Sequence, residues 1–148
     1  MKKIILIILF FIPYIFFSQI KEIEVRECNN IGTISQGVYF IKNEKCTDGN
    51  YKFTFRDFNY SHITINRFFE FKDIDGAYDK LFDSIINGFS DIKKDLYFEL
   101  PNQILIIKYS STLGMKGFSF YIKDKKTGEE GVSNIFSKNQ AYKLFGKK

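Results

Sequence analysis

Few residues in this chain are suited to nucleophilic or metal chemistry: there is one histidine, His62, and two cysteines, Cys28 and Cys46. A His-based triad or a histidine metal cluster must therefore turn on His62. His62 alternates with Thr64 and Asn66 on the polar side of an extended run. No nucleophile or carboxylate is placed beside it by spacing, and it reads as a solvent-facing side chain. The cysteines lack adjoining histidines and make no credible zinc ligand set. In an exported chain an even pair reads as a disulfide, here closing residues 28–46, worth about 3 kcal/mol in the chain-entropy model.

Carboxylates offer a second route. Glu70 and Glu99 fall at polar positions of two extended runs, expected on neighbouring strands. Two acids whose pKa values are pushed apart carry out hydrolytic acid/base chemistry. Acids on polar strand faces are commonplace, so a small hydrolase is the alternative reading and not the leading one. Arg67 is the outlier among the basic residues, because it interrupts the apolar series Ile63, Ile65, Phe69 and Phe71. A charge there either lines an anion-binding cleft or sits at a bulge, edge or structural ion pair. It is the one candidate binding residue.

Other motifs fail on spacing. Asp73-Ile74-Asp75-Gly76 places glycine too early for a calcium loop, and the closing position holds Ser84 where glutamate is required. No nucleophile elbow or phosphate loop is present, and Lys125-Lys126-Thr127-Gly128 reads as a hairpin turn. The sequence thus points to no cofactor and no metal. Asn59-Tyr60-Ser61 fits a glycosylation acceptor in a turn. Lys123, Lys125, Lys126, Lys138, Lys143, Lys147 and Lys148 crowd the last quarter, interrupted by Glu129 and Glu130. They read as solvated turn and tail residues, with an anionic surface as the other partner they suit.

The N-terminus supplies an address. Lys2 and Lys3 precede an apolar run from Ile4 to Phe17, long enough for a secretory signal and short for a bilayer span. Ser18 ends the run, so residues 1–18 are expected to be removed. The large Phe16 sits where a small residue is usual, and an uncleaved anchor is the rival reading; membrane contact is expected only through that segment. The remaining residues carry 20 basic against 17 acidic side chains, a net charge of +3 that does not argue for nucleic acid. They form one expected domain, residues 19–148, secreted or periplasmic.

Within it, period-two alternation predicts strands, beginning at 20–25 and 38–41, with a turn at 32–37 between them. Tyr51, Phe53 and Phe55 alternate with polar residues, as do residues 62–71, 96–100 and 118–123, and 104–107 is apolar on both faces. Ile74, Ala77, Tyr78, Leu81, Phe82, Ile85, Ile86 and Phe89 share one helical stripe, with Asp73 or Asp75 as cap and Asn87-Gly88 as stop. Ser137 and Gln140 have capping-box spacing, which predicts a short helix over 138–145. The expected fold is α+β: a mainly antiparallel sheet of about six to eight strands, one amphipathic helix near residues 74–88 on one face, and a short C-terminal helix. The expected role is non-enzymatic, a binding or interaction domain of the envelope or extracellular space.

Overall fold

The computed structural model describes residues 25–37, 39–60, 62–92 and 94–147. The expected signal segment, and all but the last residue of the strand expected at 20–25, lie outside them. Val25 itself is exposed and belongs to no strand.

Eight strands and two helices are present in the described residues. β1 (Cys28–Gln36), β2 (Tyr39–Cys46), β3 (Asn50–Arg56) and β4 (Asn66–Lys72) form one antiparallel sheet in that order. After α1 (Ala77–Gly88), β5 (Leu96–Glu99), β6 (Gln103–Thr112), β7 (Met115–Asp124) and β8 (Glu130–Val132) form a second, and α2 (Lys138–Leu144) closes the chain. The α+β class and the antiparallel pairing are as expected, but the strands divide into two four-stranded sheets instead of one. The division falls at α1, which separates the first four strands from the last four.

The core explains the division. Phe53 and Phe69 stack at 4.8 Å on the inner face of the first sheet, and both meet Phe120 of the second, at 5.8 and 5.2 Å. α1 does not lie on one face of a single sheet. Its Tyr78 stacks on Tyr51 of β3 at 3.9 Å, while the carbonyls of Ser84 and Ile85 accept the hydroxyl of Tyr109 from β6. The helix is therefore wedged against both sheets. Its start differs in detail: Gly76, at φ 71°, is the residue before the helix, and Asp73 accepts the Tyr78 N–H at 3.0 Å.

One turn and one strand expectation are corrected. Residues 32–37 lie mostly within β1, and Gly32 is there because α2 crosses it: a Cβ would collide with the carbonyl oxygens of Lys143 and Leu144. The run 62–71 is strand only from Asn66, since Asp57 turns the preceding loop back through its N–H to the Ile65 carbonyl at 2.8 Å. The C-terminal helix matches closely, with both halves of the Ser137–Gln140 box formed. Cys28 and Cys46 are register partners at the open end of the β1–β2 hairpin and are joined as a disulfide.

Candidate binding groove

β4 is an edge strand, and its hydrogen-bond parity can be derived. The Asp57 N–H to Ile65 carbonyl bond makes that pair a bonded one. In an antiparallel ladder every second pair is of the same kind, so Arg67, Phe69 and Phe71 bond to β3 while Phe68 and Glu70 turn their N–H and C=O outward. Gln103 at the start of β6 confirms the direction, because its Nε2 donates to the Phe68 carbonyl at 3.1 Å.

Three adjoining hollows run along this edge. The first, about 330 Å³, is walled by Phe71, Ile74, Leu81, Phe98, Leu100 and Leu105, with Lys72 and Glu99 at its polar side. It lies between the approach to α1 and the β5–β6 turn. The second, about 420 Å³, shares Phe71, Lys72, Leu100 and Pro101 with the first and adds Asn50, Glu70, Asn102, Gln103 and Asp124. The third, about 230 Å³, continues past Phe68, Gln103 and Asp124 to Arg67 and Glu129. One end of the groove is thus apolar, and the remainder carries amides and paired charges. Ile74 stays 63% exposed at the apolar end, surface that the fold itself leaves unburied.

Arg67, Glu70, Glu99 and Glu129 along the groove are each ion-paired. Arg67 is the deepest: its Nε lies 3.2 Å from Asp57 Oδ2 and an Nη 2.8 Å from Glu129 Oε2, with its stem against Gly131 of β8. Burial pushes its pKa down, but the hydrogen bonds to Glu129 and Asp57 more than offset this and leave it raised. Asp57 is fully buried and also accepts the N–H groups of Asn59 and Val132. Arg67 thereby ties the β3–β4 loop to β8 of the other sheet, while its exposed part lines the third hollow.

Glu70 and Glu99 do not sit on neighbouring strands as expected. They belong to different sheets and adjoining hollows, Glu70 paired with Arg26 at 2.8 Å and Glu99 with Lys125 at 2.7 Å. The Lys125 hydrogen bond holds the Glu99 carboxyl below its ordinary range. Asp124 is lowered likewise, by the backbone N–H groups of Thr127 and Lys126. A general acid needs the opposite, a carboxyl held protonated near neutral pH.

The remaining sequence candidates lie elsewhere. His62 and Asn59 are exposed in the β3–β4 loop. Asp73 serves α1 through the Tyr78 N–H. Among the described residues no cluster of three or more His, Cys, Asp or Glu is arranged to hold a metal ion. The late lysines do not form one basic face: Lys123 pairs with Glu130, Lys125 with Glu99 and Lys147 with Asp79. Lys148 lies outside the described residues.

Alternation marked Leu100 as an apolar strand position, but did not mark it, Pro101 or Gln103 as groove residues. The available signal was an apolar residue followed by proline at a turn. No protein family, curated protein or solved structure matches this chain.

Proposed function

We propose that this protein is an exported binding domain that receives an extended polypeptide segment along β4. The observation that carries the reading is the adjacency of two features: outward backbone groups of Phe68 and Glu70, and the apolar hollow that begins at Phe71. Extended peptides bind sheet edges through main-chain hydrogen bonds and take their specificity from side-chain pockets beside the edge. Here the ligand backbone would displace the Gln103 amide from the Phe68 carbonyl, and one apolar side chain would enter the hollow between Phe98 and Leu81. The Cys28–Cys46 disulfide fits an oxidising compartment, and no described helix is long and apolar enough to cross a membrane.

The test is selection from a displayed random-peptide library on the purified, oxidised protein. The reading expects binders with one large apolar residue within an extended segment, weakened at least tenfold by Leu100→Asp. Hydrogen exchange should slow at the amides of Phe68 and Glu70 on binding. Binders that leave those two amides unprotected would place recognition elsewhere.

The alternative, a small hydrolase built on Glu70 and Glu99, predicts that Glu70→Gln abolishes a measurable hydrolysis. The separate cation held by each carboxylate favours the binding reading.

A further inference from the structure

The β6–β7 hairpin ends in a two-residue turn, Leu113-Gly114, between Thr112 and Met115. Both central residues have positive φ, 50° for Leu113 and 80° for Gly114. Turns of this hand favour asparagine followed by glycine, because the left-handed region crowds the Cβ of other residues. A leucine here gains nothing from packing either: Leu113 is 94% exposed and Met115 is 73% exposed. Neither local backbone preference nor core formation accounts for two apolar side chains at this point.

The half of the hairpin nearer the tip, from Lys108 to Ser119, carries Lys108 and Lys116 and no acidic residue. Lys116 is next to the tip, its ammonium donating to the Phe89 carbonyl at 3.2 Å, and it forms no ion pair among the described residues. Lys108 lies over the Tyr121 ring at 4.3 Å. Two exposed apolar side chains at the end of a hairpin suit a fluid surface better than a protein of fixed shape. Lysines beside it complement anionic headgroups.

We propose that the Leu113–Met115 tip is a membrane-surface anchor, inserting its two apolar side chains at the interface of a bilayer containing anionic lipid. This is separate from the β4 groove and does not depend on it. It also departs from the expectation that membrane contact comes only through the N-terminal segment. Gln103, which lines the groove, is at the other end of β6, about 30 Å away at strand rise, so a docked tip holds that part of the groove off the bilayer.

The experiment is sedimentation of the oxidised protein with vesicles of phosphatidylcholine containing one quarter phosphatidylglycerol, against pure phosphatidylcholine. Leu113→Asn separates anchoring from folding, since asparagine suits the left-handed turn: the variant should melt at the same temperature or a few degrees higher. Its partition onto the anionic vesicles should fall about tenfold, as expected for one buried leucine lost. The chain has no tryptophan, so Met115→Trp gives a single reporter whose emission should move to shorter wavelength on vesicle binding. Wild-type protein that stays in solution, or Leu113→Asn protein that partitions as wild type does, overturns the proposal.

Discussion

Arg67 of β4 and Asp57 of the preceding loop form an ion pair at 3.2 Å in which the carboxylate is fully buried, and the same guanidinium reaches Glu129 at 2.8 Å. Through Glu129 and the Val132 N–H, both from the second sheet's side, the pair links the two sheets. Removing a partner from a buried pair leaves an uncompensated charge and costs about 3–5 kcal/mol; the part-exposed guanidinium reduces this. Arg67→Met should therefore lower stability by about 2–3 kcal/mol in urea denaturation, with affinity for a groove-selected peptide kept within about twofold in the folded protein. A large affinity loss at unchanged stability would instead make Arg67 a ligand-binding residue.

The disulfide closes the open end of a hairpin whose register already brings Cys28 opposite Cys46. Cys28→Ser with Cys46→Ser should still fold, at a cost of about 2–3 kcal/mol. Thermal melts of wild type with and without reductant check this, since the reduced wild type and the double variant should coincide.

Gly32 allows α2 to cross β1 with backbone in contact, and Ala at this position drives its Cβ into the carbonyls of Lys143 and Leu144. Neither carbonyl can rotate away as a side chain would. Gly32→Ala should destabilise by about 2–4 kcal/mol, in the range of severe overpacking. The loss of protection should be greatest at the amides of Ala141 and Phe145, read by hydrogen exchange.

Tyr109 is pushed up to about 12 by burial, and its hydroxyl donates to the Ile85 carbonyl at 3.0 Å. The unfolded chain ionises this tyrosine near 10, so between about 10 and 12 the unfolded state alone sheds the proton. Stability should be intact below pH 10 and fall as pH rises through that window. Tyr78, buried at the other end of α1, is raised further by burial and steepens the fall. Tyr109→Phe should be less stable at neutral pH and show a shallower alkaline decline, measured by urea midpoints at pH 9 and 11.

Some of this molecule was legible in the sequence for a local reason. The α2 cap is complete within Ser137 to Gln140, and the α1 stripe and the β3 alternation repeat within one element. Short-range periodicity and capping need no knowledge of the rest of the chain. The apolar side of a strand is set in the same way, which is why Phe53, Phe55, Phe69 and Phe71 are buried as their alternation implies.

What lay beyond sequence was partnership between distant segments. Gly32 resembled a turn residue until α2 was placed over it, and the three-residue β8 has no pattern of its own and exists through its pairing with Tyr121–Lys123. Arg67 was visible as an anomaly, but its partner Glu129 comes from the other sheet. The groove is likewise assembled from β4, the approach to α1 and the β5–β6 turn. Alternation sets which side of a strand is apolar; which strand, loop or helix meets that side is decided by packing the whole chain, because burial and charge pairing act across space regardless of order along the backbone.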